Sequence, residues 1–426
     1  MANTYHKTQL SNGLRVITIP MDSTRTFTAV VLVKTGSKYE EKRLNGISHF
    51  LEHMFFKGTK RRPTARQISE EIEGVGGEFN AFTAKENTAY YVKVPDMHQM
   101  RALDILSDMM CDPLHEHDEV ERERNVVIEE MNMYFDTPMR YVGDLFEELT
   151  YGDQPAGWPI IGTKESLHNI KRPEILSYFG QHYQAQDSAL VIAGRFDEAE
   201  ILKTAEQLFG KLPTGEKNSK PKTAEAQEEP RALVYEKKTD QTHLILGFRA
   251  FHMFHPDRYA LSVLATILGG GMSSRMFTAV RERRGLAYYV RSDVDFYTDS
   301  GYSATAAGVE NGKVEEAIRA ILDEYRAIRS EPVPETEIKK AKEFLKGRTL
   351  MDLEESNEVA FWYGQQEILK EEIIRPEDVF KKVDAVTAQD LQRVAREVFK
   401  PDGLNLALIG PFSDKERFKN LINTDL

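Results

Sequence analysis

Two histidines and a glutamate stand within five residues at His49-Phe50-Leu51-Glu52-His53. The run is predicted to be helical, and on an α-helix each residue advances by about 100°. His49 and His53 are then about 40° apart around the axis and about one turn apart along it. Their imidazoles can converge on one metal ion, with Glu52 on the same side, about 100° from His53. Zinc suits such a site. A catalytic zinc takes three protein ligands and keeps one position open for water, whose pKa falls towards ~7. A neighbouring carboxylate can then take the proton as general base. The same five residues also fit a helix with two hydrogen-bonded histidines and a solvated glutamate, so a third ligand has to come from elsewhere.

A second helix is predicted from Asp118, with Glu121 three residues later at capping-box spacing. It carries Glu123 and Glu130, seven residues apart and two turns along one face. A third ligand and a supporting carboxylate on that face would complete a zinc site, although a solvated acidic face has the same pattern. The order His-x-x-Glu-His inverts the common zinc-protease motif and is the inverzincin signature. With 76 residues between His53 and Glu130, the pattern resembles the pitrilysin/insulinase family. It is most similar to the branch of mitochondrial processing peptidase and its bacterial relatives. The resemblance implies His49, His53 and Glu130 as ligands of one Zn²⁺ per chain. It implies Glu52 as the base that activates the metal-bound water, and Glu123 as a further glutamate supporting the ligands. Glu129 competes for the third ligand position. The family spacing favours Glu130, and Glu129 points about 120° away from the Glu123 face.

Two further motifs face the substrate in proteins that this chain resembles. Gly76-Gly77-Glu78-Phe79-Asn80-Ala81-Phe82-Thr83 is a turn entering a strand. An unpaired strand edge can accept an extended peptide as an extra strand. The resemblance implies Asn80 and Ala81 as substrate-binding, Ala81 through its backbone. In the second half, Arg281 and Tyr288 match the family's Arg/Tyr pair, which acts on substrate carbonyls and on the oxyanion of the transition state. Phe277 matches an apolar substrate contact.

These motifs need a scaffold, and the chain reads as two weak repeats. A stretch from Thr214 to Pro230 lacks large apolar residues and mixes Gly, Pro and charge, as a linker does. The expected domains are 1–213, with the zinc site, and 231–426, homologous but carrying the Arg/Tyr motif instead. The ends match best. Tyr178 to Tyr183 leads to Ala189-Leu190-Val191-Ile192-Ala193-Gly194, and Val394 to Phe399 leads to Leu404-Asn405-Leu406-Ala407-Leu408-Ile409-Gly410. Where the metal motif would recur, the second half offers Leu264-Ala265-Thr266-Ile267-Leu268. Strands and helices do not alternate strictly. Each half is therefore expected to be α+β, a mainly antiparallel sheet with helices on one face.

Composition narrows the function class. The 426 residues are 41% hydrophobic and 29% charged, enough for more than one core. A formal net charge of -12 disfavours nucleic-acid binding. The lone cysteine, Cys111, allows no disulfide within the chain. No secretory or transit pattern opens the chain, and no apolar run is long enough to span a membrane. A cytoplasmic protein is expected. No phosphate-binding loop or dinucleotide fingerprint is present. His115-Glu116-His117 sits at a predicted loop–helix junction and is set aside as a metal site. Tyr90 and Tyr91 are expected on opposite faces of a strand.

The expectation is a zinc metalloendopeptidase. In the branch it resembles, a chain of this length forms half of a clamshell chamber that admits short or unfolded peptides. Both motifs lie on one chain, so a homodimer is expected, with the Arg/Tyr pair supplied in the same chain or across the dimer. The acidic balance suggests basic peptides. A non-catalytic assembly subunit of the same fold would be marked by degenerate metal motifs, and here they are intact.

Overall fold

In the computed structural model, which describes residues 4–424, the strands form two sheets, one in each half of the chain. The first contains β1 (His6–Gln9), β2 (Arg15–Pro20), β3 (Thr26–Val33), β4 (Glu78–Thr83), β5 (Thr88–Pro95) and β6 (Ser188–Gly194), in the order β1-β2-β6-β3-β5-β4. The second contains β7 (Arg231–Glu236), β8 (Gln241–Arg249), β9 (Ala287–Phe296), β10 (Gly301–Glu310) and β11 (Leu404–Gly410), in the order β7-β11-β8-β10-β9. Matching β2 to β6 with β7 to β11 makes the two orders the same, with β1 as an addition. In each sheet one pair is parallel, β2 with β6 and β7 with β11. The other pairs are antiparallel. A shared order with a shared parallel pair is the topology of a duplicated α+β unit.

The chain-end strands that match in sequence, β6 and β11, are the ones buried at every position. A strand apolar on both sides must be covered on both sides. In the second sheet, the helices Arg258–Gly269, Val314–Ser330 and Ala388–Val398 cover Leu244, Leu246, Phe248, Leu404, Leu406 and Leu408. Its other face meets Val142, Leu145 and Phe146 of the helix Pro138–Tyr151, which comes from the first half. The converse holds in the first sheet. Ile17, Val30, Leu32 and Val191 pack on Val359, Ala360 and Tyr363 of the helix Ser356–Lys370, from the second half.

Each half thus lends one helix to the other's sheet, a covering that helices on one face would not supply. The compact units are accordingly discontinuous: 1–131, 159–221 and 350–375 form one, and 132–158, 222–349 and 376–426 form the other. The lent helix Ser356–Lys370 fits because of Gly364, where a Cβ would lie 2.5 Å from Leu32 Cδ1 and 2.9 Å from Val191 Cγ2. It is anchored by Glu367, whose buried carboxylate pairs with Lys7 at 2.7 Å and Arg15 at 3.2 Å. Pairing offsets the cost of burying that charge.

The polar stretch 214–230 is pinned along its length by its own polar groups. Asn218 N donates to Asp187 Oδ2 at 2.7 Å, and Lys220 joins Lys38 on the buried Glu86. Further on, Thr223 N donates to Asp299 Oδ2 and Ala224 N to Gln154 Oε1. Lacking large apolar residues, the segment is held by hydrogen bonds and ion pairs. Among the described residues, no helix is long and apolar enough to cross a membrane.

The lent helices give a direct test. Phe146→Ala removes a buried ring that meets Tyr302 edge-on at 5.3 Å. It is expected to cost ~3–5 kcal/mol. Hydrogen exchange should rise in β8 and β11 and leave β2, β3 and β6 unchanged. Faster exchange in the first sheet instead would contradict the assignment of this helix to the second unit.

Candidate metal centre

The motif helix is short, Ile47–Met54, and its apolar residues fix its orientation. Ile47, Phe50, Leu51 and Met54 are buried, at helical spacing on one side. That leaves His49, Glu52 and His53 for the other side. Its start is unusual. Gly46 has φ 95°, and a Cβ there would lie 2.6 Å from the Ile161 carbonyl oxygen, so glycine is required. Glycine has no side chain to cap the helix, and Glu40 takes over that role. Its carboxylate accepts from Gly46 N at 2.7 Å, Ser48 N at 2.8 Å and Asn45 Nδ2 at 2.9 Å. These bonds satisfy orphan N–H groups at the positive end of the helix dipole. Burial pushes the Glu40 carboxyl up, and the backbone bonds from Ser48 and Gly46 oppose it.

The second helix runs His117–Phe135. It starts one residue before the expected Asp118, which lies in the first turn rather than at the cap. Buried Arg124 fixes it in place, donating Nε to the Leu167 carbonyl at 3.0 Å and Nη2 to that of Ile170 at 2.7 Å. The helix face beside Arg124 then brings Glu123 and Glu130 to the motif helix. Glu123 Oε1 lies 2.8 Å from His53 Nδ1, and its Oε2 pairs with Lys57 Nζ at 2.6 Å. Glu130 Oε2 lies 3.3 Å from His53 Nε2 and 3.8 Å from His49 Nε2.

The donor atoms of His49, His53 and Glu130 all lie within 4.8 Å of one another. A tetrahedral zinc with bonds near 2.0–2.1 Å would set its ligand atoms about 3.3 Å apart. The spacing and the two-imidazole, one-carboxylate donor set both fit zinc. Among the described residues this is the one such group of His, Cys, Asp and Glu. Glu129 is exposed and outside it.

The electrostatics follow from burial and charge. Burial, then the neighbouring His53, lowers the His49 imidazole to about 4, with Glu130 opposing. Burial also pushes His53 down, but Glu123 and Glu130 outweigh it and raise it to about 9. Burial lifts Glu123 as well; His53 and Lys57 prevail and hold it below its ordinary value. Glu52 is raised, chiefly by burial, against the hydrogen bond from Thr83 and the charge of His53. That bond runs from Thr83 Oγ1 to Glu52 Oε2 at 2.6 Å.

Asn80 and Ala81 lie on β4, the edge strand of the first sheet, which packs beside the motif helix. Asn80 Oδ1 accepts from Ala81 N at 2.9 Å, so a substrate carbonyl at that N–H must compete with it. In the second unit, Phe277 and Arg281 sit on a π-helical segment, Phe277–Glu282, with Tyr288 at the start of edge strand β9. The Arg281 guanidinium lies 4.9 Å from the centre of the Phe277 ring and 5.8 Å from that of Tyr288. Phe277 is buried, whereas Tyr288 is 72% exposed. Leu264 and Leu268 are core residues of the helix Arg258–Gly269 and offer no ligand.

Three contributors escaped sequence reasoning: Glu40, Lys57 and Thr83. Only Thr83 left a signal, since period two places it on the same strand face as Ala81. His115 is buried between Phe55 and Phe179, and burial lowers its imidazole to about 4, which suits packing. Tyr90 and Tyr91 do face opposite ways, Tyr90 onto Phe55 and Tyr91 onto Phe361.

Comparison with known proteins agrees with this architecture. The model of the insulinase family (peptidase family M16) matches residues 15–164, and that of the peptidase M16 inactive domain matches 169–345. The chain is 36% identical over 400 residues to an uncharacterized zinc protease of Bacillus subtilis, covering 94% of this chain and 97% of that one. It is 35% identical over 413 residues to an uncharacterized zinc protease of Mycobacterium leprae, covering 96% and 92%. Its fold is that of a protease from Helicobacter pylori solved by crystallography. The TM-score there is 0.90 at 24% identity, over 96% of this chain and 100% of the other.

A metal held by His53 would bind in a pH-dependent way, because of the charge state of that imidazole. With its pKa raised to about 9, His53 is protonated at neutral pH in the metal-free chain. A metal needs the neutral imidazole, so binding must expel that proton. Zinc affinity should rise with pH and level off above about 9. Calorimetry in buffers of different ionisation enthalpy should show about one proton released per zinc at neutral pH. Proton-free binding would contradict the charged His53–Glu123 pair.

Proposed function

The chain belongs to the insulinase (M16) family of peptidases, and from that premise we propose that it is a zinc-dependent endopeptidase of the inverzincin type. The observation that carries the proposal is the convergence of His49 Nε2, His53 Nε2 and Glu130 Oε2, with Glu52 beside them. Those three residues would hold Zn²⁺, one per chain. When bound, zinc supplies a Lewis acid that polarises the scissile carbonyl and makes water acidic enough to lose a proton near neutral pH.

The chain's own residues do the rest. Thr83 holds Glu52 Oε2, leaving Oε1 to take the proton from the attacking water and pass it to the leaving amine. Burial raises the Glu52 pKa from an ordinary carboxylate towards the range useful to such a base. Glu123 holds His53 by Nδ1, which fixes the tautomer and presents Nε2 to the metal. Lys57 neutralises Glu123 from the far side. The free edge of β4 at Asn80 and Ala81 would take the substrate as an added strand, exposing its carbonyls to the site. Arg281 and Tyr288, with the ring of Phe277 beneath the guanidinium, would donate to the carbonyl and to the developing oxyanion.

The substrate is a short or unfolded peptide, because strand addition needs an extended backbone. The setting is a chamber formed by a homodimer in the cytoplasm, and basic peptides are preferred given the net charge of -12.

Glu52→Gln should keep zinc and lose essentially all hydrolysis of an unstructured peptide, measured by metal analysis and product sequencing. An active variant would refute the mechanism. Glu130→Gln should weaken zinc binding far more than Glu129→Gln, and Glu123→Gln should cost ~10–100-fold in affinity or activity. Zinc loss confined to Glu129→Gln would reassign the ligand. Thr83→Val removes a bond that lowers the Glu52 pKa, so the acid limb of the rate profile should move to higher pH. An unmoved limb would show that Thr83 does not tune the base.

A further inference from the structure

The second unit contains a cavity of about 460 Å³ behind the π-helical segment Phe277–Glu282. Thr278 and Ala279 of that segment line it, followed by Arg283. Phe277 and Arg281 group instead with Tyr288. The cavity and the Arg281 cluster are therefore built on the same half-dozen residues. A π-helical turn is rare and recurs at functional sites.

The charges around the cavity are balanced. Arg275, Arg283 and Lys340 face Glu324, Glu331 and Glu337. Some of them are spent on each other. Arg275 pairs with Glu337 at 2.9 Å, and Lys340 donates to the Ser273 carbonyl at 2.6 Å. Arg283, Glu324 and Glu331 are not spent: among the described residues none of these three side chains has a hydrogen bond or a salt bridge. Only Glu324 is shielded from solvent, Arg283 and Glu331 being exposed. Glu324 is half-buried on the inward-packing helix Val314–Ser330, where burial raises its pKa and the charges of Arg275, Arg284 and Arg283 oppose that. A carboxylate held half-buried without a partner is costly unless something else supplies the partner.

We propose that this cavity binds a small zwitterion, a free amino acid or a short peptide, with its ammonium on Glu324 and its carboxylate on Arg283. A lone anion would leave the half-buried Glu324 unmatched, whereas a zwitterion engages both Glu324 and the exposed Arg283 across the same cavity. The volume is within the range of small-ligand sites. Peptide hydrolysis releases this class of molecule, so the cavity would sense product from behind the segment that carries Arg281. That consequence rests on the proposed peptidase activity, whereas the binding does not.

The test uses the full-length, zinc-loaded chain carrying Glu52→Gln, so that the probe is not consumed, with L-alanyl-L-alanine titrated by calorimetry. The expected result is saturable binding of one dipeptide per chain. It should weaken about tenfold or more with Glu324→Gln, with Arg283→Gln, or when the probe is N-acetylated or C-amidated. Both substitutions remove unpaired charges, so thermal stability should be unchanged or higher, and a folded, non-binding variant is informative. No binding, or binding indifferent to both substitutions or to both caps, would overturn the proposal. Cleavage of the probe by the Glu52→Gln chain would refute the catalytic role of Glu52 and leave the comparison between pocket variants intact.

Discussion

A metal-ligating histidine almost always has its other nitrogen held. The bond between His53 Nδ1 and Glu123 Oε1 would do that for a metal here. It demands that the helix His117–Phe135 cross the motif helix at a fixed register, with Glu123 one way along and Glu130 two turns on. Arg124 sets the register by tying the helix to the Leu167 and Ile170 carbonyls. Glu40 sets the motif helix by capping a start that glycine cannot cap. Glu52 depends on β4 in the same way, because Thr83 reaches it from the sheet edge. Glu40, Arg124, Glu123 and Thr83 thus hold the candidate centre through bonds to their neighbours, whereas His49 Nδ1 is buried without a hydrogen-bond partner among the described residues.

Duplication explains both what the two units share and how they differ. The strand order and the parallel pair are common to both. Where one copy has His49 and His53 facing out of a short helix, the other has Leu264 and Leu268 in a longer one, packed into the core. One copy offers side chains that could hold a metal and the other offers packing, Arg281 and a charged cavity. The exchange of helices Pro138–Tyr151 and Ser356–Lys370 makes each unit's core depend on the other half of the sequence. Neither half could bury its sheet on both faces alone, because β6 and β11 are apolar on both sides.

Much of this was legible in the amino-acid order, because it depends on local periodicity. The 100° step of a helix decides that His49 and His53 converge, and that Glu130 rather than Glu129 shares the Glu123 face. Alternation decides that Tyr90 and Tyr91 part company. The paired ends at Gly194 and Gly410 announced the duplication. The segment 214–230 was legible as a polar connector, but its anchors, Asp187, Glu86, Asp299 and Gln154, lie far away in sequence.

The sequence by itself determined that His49, Glu52 and His53 share one side of a helix, that Glu123 and Glu130 share one face of another, and that the chain is two repeats, since these follow from which side chains recur at 3.6- and 2-residue periods. The ligand roles came from the family resemblance. Only the tertiary structure decided which groups stand behind them. Glu40 on Ser48, Thr83 on Glu52 and Lys57 on Glu123 are ordinary polar residues until folding buries them beside a partner. The same holds for Arg283 and Glu324, which line one cavity only because a π-helical turn and the helix Val314–Ser330 meet there. Their proximity, and the partial burial of Glu324, are not written in the local order of residues.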